Sequence, residues 1–329
     1  MSMKKVLLLV LTLALGTSLY AKKVTRQEAL QKAQLFMNNM QLTLSGKSYS
    51  RSQGIIDSQG YYIFNVENNG GFVIVAADDR IPEILGYSEK GNIDIQHLPC
   101  NMEWLLSCYE HIIDSLNAYG ITKSRNTRAT RVDNYTAIEP LVKTTWGQGT
   151  PYNKYCPEIG GDRCPTGCVA TAMAQIINYK KWPQEATTAV DSYVTYSGIN
   201  MPALEPVTFD WENMTDDDIA RLMLYCGQAA KMNYELSGSG AGQPCEALKD
   251  VLGYRQSTKS RYIREFDAVH LVQTIYSELA DERPVFYTGY SETKQVGHAF
   301  VVDGYKNGLF HINWGWNGET DGYFDITGL

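Results

Sequence analysis

The stretch from Cys164 to Tyr179, CPTGCVATAMAQIINY, constrains this chain more than any other. Val169, Ala172, Met173, Ile176 and Ile177 recur at helical offsets, which predicts a helix docked by one face into a core. Cys168 opens that helix. Thr166 is the expected N-cap, and Gly167 leaves room for another group to approach the backbone beside the sulfur. Unpaired N–H groups and the helix dipole favour an anion there, so a lowered thiol pKa is expected. A cysteine in this place equally suits a small core residue or half of a disulfide, and other residues must decide.

A chain of 329 residues can bury a sizeable core and is long enough for two domains. Its formal net charge of −7, with no basic run interleaved with aromatics, argues against nucleic acid as a partner. Ser237 to Gly242, SGSGAG, lacks the strand context and the lysine of a phosphate loop. Lys4 and Lys5, the apolar run Val6 to Leu15 and the small residues up to Ala21 match a secretory signal peptide over 1–21. That run is too short to span a bilayer, so no membrane span is expected and the product is read as secreted: extracellular, periplasmic or at the cell surface. Export permits disulfides. Seven cysteines suggest the pairs Cys100–Cys108, Cys156–Cys164 and Cys226–Cys245, with Cys168 left free. Cys156, Cys164 and Cys168 lack a CxxC pair and a nearby histidine, so neither a metal site nor a cofactor is expected.

Two blocks follow the signal. Thr25 to Met40 reads as an amphipathic helix opened by a Thr25/Glu28 capping box, with Leu30, Ala33, Met37 and Met40 as its stripe. Tyr61 to Val66 and Phe72 to Ala76 read as strands joined by an Asn-Asn-Gly-Gly turn, and Met102 to Tyr119 as a second helix. Lys123 to Arg131, KSRNTRATR, holds four basic residues and no large apolar side chain, so it reads as an exposed linker open to proteolysis. Beyond it, helices are expected over Asp216 to Met232, capped by Thr215, and over Asp267 to Ala280. Strands are expected over Val285 to Tyr287, Ala299 to Asp303, Leu309 to Trp314 and Tyr323 to Ile326. Helices first and an antiparallel sheet after them make the class α+β.

A thiolate that attacks carbonyls needs a histidine to shuttle the proton, a group to orient that histidine and donors for the oxyanion. Of five histidines, His97, His111 and His270 read as structural or solvated. His298 starts a strand in VGHAFVVDGY, where its side chain can face a cleft; His311 lies mid-strand, two residues from Asn313. His298 and Asn313 follow Cys168 by about 130 and about 145 residues, inside the range of the papain-type order Cys, His, Asn. His298 is therefore preferred to His311 as base, with Asn313 as the orienting amide. Trp314 and Trp316 either pack the sheet or shield the Asn–His bond from water. The Cys168 N–H and the Gln148 side chain are the candidate oxyanion donors.

GCVATAMAQIINY, GHAFVVDGY and HINWGWNGETDGYF together resemble the streptopain family of secreted papain-like cysteine peptidases, and GFVIVAADDRIPEILGYS is similar to its inhibitory propeptide. The resemblance implies a zymogen with an inhibitory propeptide over 22–131, which covers the cleft until the linker is cut, often autocatalytically, and a papain-like catalytic domain over 132–329. It implies Cys168 as nucleophile, His298 as base, Asn313 and Trp314 as its support, and a cleft lined by Ser239 and Gly297. Implied partners are protein or peptide substrates with a bulky apolar residue two positions before the scissile bond, and the chain's own propeptide. Members of that family usually continue past the DGYF strand into a glycine-rich loop and a final strand, so ending at Leu329 predicts a short C-terminus and an exposed sheet edge. An acyltransferase using an amine acceptor, and an inactive member that acts by binding, are the alternative readings.

Overall fold

The computed structural model describes residues 23–39, 55–57, 59–122, 135–240, 243–291 and 296–327. The signal segment, Met40 and the linker Lys123 to Arg131 lie outside them. The first block runs α1 (Arg26–Asn39), β1 (Ile55–Asp57), β2 (Tyr61–Asn65), β3 (Phe72–Ala76), β4 (Ile84–Ser88) and α2 (Cys100–Ala118). Thr25 and Glu28 close the capping box on α1, with the Thr25 N–H donating to Glu28 Oε2 at 2.8 Å. The turn between β2 and β3 uses Asn68 and Asn69 at φ of 54° and 55°, an αL conformation that asparagine tolerates. β4 has no alternating pattern because all five of its residues are buried, which is why the sequence does not announce it.

Within this block Arg80 ties the end of α2 to the sheet. Its guanidinium donates to both oxygens of Asp78, at 2.8 and 2.7 Å, to the Ile121 carbonyl and to Asn117 Oδ1. Both partners are buried. Arg80→Ala strands the Asp78 carboxylate, and such a loss costs about 3–5 kcal/mol. Urea unfolding of the intact chain should show a matching drop in midpoint.

The second block runs β5 (Glu158–Ile159), β6 (Asp162–Arg163), α3 (Cys168–Lys180), β7 (Tyr193–Val194), β8 (Asn200–Met201), α4 (Asp216–Ala229), α5 (Pro244–Glu246), α6 (Ala268–Ala280), β9 (Val285–Ser291), β10 (Val296–Lys306), β11 (Leu309–Asn313) and β12 (Gly322–Phe324). Thr215 caps α4 in a reciprocal box with Asp218, and Asp267 caps α6. Asn307 and Gly308, both at positive φ, turn β10 into β11. The expectation of a single buried face on α3 needs correction. Every residue from Val169 to Ile177 is buried, so this helix is sunk in the core rather than laid on it. Nor are the expected disulfides present: all seven thiols are free. Cys100 and Cys108 lie eight residues apart on one helix, about 12 Å by the rise per residue, too far for a bridge.

The two blocks share one antiparallel sheet in the order β1-β2-β3-β4-β12-β11-β10-β9. They join where β12 pairs with β4, Tyr323 opposite Tyr87 and Phe324 opposite Gly86. The edge expected to be exposed after DGYF is thus occupied by the first block, because β4 meets its hydrogen-bonding groups. One face of the sheet packs α2 and α6 around Phe300, Val302, Phe310 and Trp314. The other carries α1 over the first-block strands and α3 with α4 over the second. Among the described residues no helix is long and apolar enough to cross a membrane.

At the junction Ser88 Oγ donates to the Asp321 carbonyl at 2.7 Å, and the Trp314 N–H donates to Asp321 Oδ1 at 2.8 Å. Burial raises the Asp321 carboxyl to about 7, the Trp314 N–H opposing it. A carboxyl raised above its unfolded value of about 3.9 favours the fold when protonated, so this contribution is full below that value and lost as pH rises through about 7. Asp321→Asn keeps an acceptor oxygen and cannot titrate. Thermal unfolding across that range should show a flatter pH dependence than the parent.

Candidate active site

The start of α3 is built from three converging loops. Gly167, not Thr166, occupies the N-cap position, with φ 84°, and no side chain caps the helix. Thr166 is drawn inward instead: its N–H donates to the Gln148 carbonyl at 2.9 Å and its hydroxyl lies 2.9 Å from that of Thr171. This ties CPTG to the WGQG loop and leaves the first N–H groups of α3 without a side-chain cap. A Cβ on Gly167 would stand 2.5 Å from the Ser239 carbonyl, so only glycine admits the SGSG turn here. Ser239 Oγ donates to the Pro165 carbonyl at 2.9 Å, holding that turn against the cysteine loop.

Gln148 is buried, and its Nε2 has no acceptor among the described residues. A buried amide donor without a partner costs free energy, and such groups mark places where a ligand atom completes the set. The Cys168 sulfur accepts the Ala299 N–H at 3.3 Å. Burial pushes the thiol up, against the lowering effect of the Ala299, Val169 and Cys168 N–H groups. The expected low thiol pKa is therefore not the state of this chain, because desolvation outweighs the helix terminus.

The remaining candidates divide between the two faces of the sheet. Ala299 and Val301 pack with α3, whereas Phe300 and Val302 belong to the cluster under α2. The pleat sends His298 to the α2 face. It pairs across the ladder with Gly289, where a Cβ would lie 2.1 Å from the Trp104 ring of α2. Trp104 thus rests on the strand beside His298, and its ring centroid is 6.0 Å from that of Phe300. Gly297, exposed, precedes the histidine. Asn313 faces α3: its Oδ1 accepts Gln175 Nε2 at 2.9 Å, and its Nδ2 donates to the Thr144 carbonyl at 2.8 Å. Trp314 is fully buried on the His298 face, 5.0 Å from Phe300, and its carbonyl accepts Asn101 Nδ2 of α2 at 2.7 Å. His311 lies 2.6 Å from Asp303 Oδ1, whose other oxygen accepts the Val142 N–H, so it fastens the start of the second block.

Cys168, Gln148 and Ser239 are brought together, while His298 and Asn313 stand on opposite faces. Sequence reasoning missed Asn101 and Trp104, which hold the histidine's face, and Gln175, which holds Asn313. A signal existed for the last, since a glutamine inside a run as apolar as VATAMAQII is a polar group that must find a buried partner. For Asn101 and Trp104 the contact is long-range, and no local pattern encodes it.

Residues 146–324 match the Peptidase C10 family, over half of the chain. This chain belongs to the peptidase C10 family of cysteine peptidases. Residues 21–113 of the C10 chain match the Spi protease inhibitor family. The chain is 32% identical over 344 residues to thiol protease/hemagglutinin PrtT of Porphyromonas gingivalis, covering 94% of this chain and 39% of that protein. It is 30% identical to streptopain of Streptococcus pyogenes over 84% of this chain and 76% of the relative. A cysteine-to-alanine mutant fragment of prointerpain A from Prevotella intermedia superposes with a TM-score of 0.71 at 32% identity, over 83% of this chain and 90% of the fragment. The papain-like α+β fold with an N-terminal inhibitor block follows from these likenesses, and α2 of that block packs on the His298 face.

Proposed function

We propose that the chain is a secreted cysteine endopeptidase made as a zymogen, with residues 1–21 as signal, 22–131 as propeptide and 132–329 as catalytic domain. The observation that carries the reading is the divided site. Thr166 ties the Gln148 loop to the start of α3, where Cys168 stands, and the Gln148 amide has no partner among the described residues, while Trp104 of the inhibitor block lies on the strand beside His298. Cutting the linker between Lys123 and Arg131 frees α2 to leave the sheet. His298 then turns toward Cys168 and takes its proton, with Asn313 orienting the imidazole and Trp314 shielding that bond from water. The thiolate attacks the peptide carbonyl, the Cys168 N–H and Gln148 Nε2 hold the oxyanion, and His298 protonates the leaving amine. Water activated by the same histidine releases the acyl group. Ser239 and Gly297 line the cleft, which takes a bulky apolar residue two positions before the scissile bond.

Intact mass over time of the chain lacking residues 1–21, beside its Cys168→Ala variant and under reducing conditions, tests the reading. The parent should lose its first block with a cut near 123–131, and the variant should stay whole. Equal processing of the two would remove Cys168 as the nucleophile.

A further inference from the structure

The first block meets the second edge to edge, where β4 pairs with β12, and the approach there is close. A Cβ on Gly322 would stand 2.5 Å from the Tyr87 carbonyl, and the Tyr87 and Tyr323 rings stack with centroids 5.0 Å apart. Asp321 leads into β12 and bonds to both sides of this seam. Its carbonyl accepts Ser88 Oγ of the first block at 2.7 Å, and its Oδ1 accepts the Trp314 N–H of the second at 2.8 Å. The residue keeps part of its surface open, yet the protein packed round its carboxyl pushes that group up to about 7. The charges facing it come from both blocks. Lys90, two residues past β4, favours the carboxylate; so does His311 of β11, held 2.6 Å from Asp303 of β10, while Asp303 opposes it. At the rim Lys306 stands 3.5 Å from Glu89, and Glu89 and Glu139 act on the Tyr323 phenol. Glutamates, lysines and phenols raised by burial keep their charge state between about pH 5.5 and about 8. His311 and Asp303 both belong to the second block, so their pair persists with or without β4.

We propose that the β4–β12 seam is a pH-sensitive clasp on the first block, with Asp321 as its sensor, which holds in acid and slackens as pH rises to neutrality. The inference rests on the reading that the first block leaves once the linker is cut. Departure of β4 takes Tyr87 and Ser88 away from Asp321 and lets water in, so the carboxyl returns toward its ordinary value of about 3.9. Docking therefore binds a proton, and release gives it back. A carboxyl raised in the docked state favours docking when protonated: its contribution is full below about 3.9, declines by about tenfold in affinity per pH unit above that, and is gone once pH passes about 7. The Lys306–Glu89 pair spans the same seam but is solvent-exposed and does not titrate in this window, so it sets no pH dependence. A cut chain would thus stay closed in acidified surroundings and open near neutrality.

The test uses the chain lacking residues 1–21 with Cys168→Ala, which cannot cut itself, and with a recognition sequence for a site-specific protease placed between Arg125 and Asn126. After cutting by that protease, gel filtration follows how fast the first block leaves the second between about pH 5.5 and about pH 8. Release should be about tenfold or more faster at the upper end than at the lower. Asp321→Asn, which stays neutral and keeps an acceptor oxygen, should hold the first block across the range with a change of less than about twofold. Lys90→Gln, on the exposed surface of the first block, removes a charge that favours the carboxylate, so its release curve should move to higher pH; this variant decides the matter if Asp321→Asn does not fold. Release that ignores pH, an Asp321→Asn curve as steep as the parent's, or a Lys90→Gln curve that fails to move upward overturns the clasp. A first block that stays bound at every pH overturns the clasp together with the reading that cutting the linker frees it.

Discussion

Replacing Trp104 with alanine should make Cys168 of the uncut chain react with iodoacetamide about 10²–10³ times faster. Trp104 is buried where α2 crosses the strands of His298 and Gly289. Truncating a buried tryptophan costs about 3–5 kcal/mol, and every 1.4 kcal/mol is about a factor of ten in an equilibrium. Here the energy falls on the contact between inhibitor block and sheet, so it favours the state in which α2 has lifted. In that state His298 is free to turn toward Cys168 and draw its proton, which raises the thiolate fraction that iodoacetamide attacks. Gly289→Ala approaches the same contact from the sheet side. Its new Cβ would sit 2.1 Å from the Trp104 ring and should act in the same direction. Unchanged alkylation in both variants would mean that α2 does not hold the latent state.

How much of this was legible depended on how local each cause is. Thr25 with Glu28 and Thr215 with Asp218 are signals closed within three residues, and both helix starts fall where the sequence puts them. The Asn307-Gly308 turn fixes the β10–β11 register for the same reason. Cys168, His298 and Asn313 could be singled out because their chemistry is rare and their order familiar. Their separation could not. It depends on β4 pairing with β12 and on α2 crossing the sheet, contacts between residues far apart in the chain, such as Asn101 with Trp314, 213 positions away. The pKa expectation for Cys168 failed on the same point. The helix terminus is written in the sequence, but the cover that desolvates it is supplied by the fold.

Gln148→Ala should lower kcat of the processed enzyme by about 10²–10³, as loss of one oxyanion donor does elsewhere, while KM and melting temperature change little. The Gln148 Nε2 is buried with no acceptor among the described residues, so in the resting chain it contributes no hydrogen bond there and carries a desolvation cost of about 1–3 kcal/mol. Alanine relieves that cost and leaves a small cavity, two effects of similar size and opposite sign. A side chain held at a structural loss on a loop tied to the start of α3 is intelligible if its partner arrives only with the reaction, as the oxyanion of the tetrahedral intermediate does. Gln148→Glu should be worse than alanine, because it sets a carboxylate or its proton where negative charge develops. Steady-state kinetics on a peptide substrate, together with thermal unfolding of each variant, separate this role from a structural one. A fall in melting temperature with kcat intact would assign Gln148 to the loop alone, leaving the backbone N–H of Cys168 to hold the oxyanion.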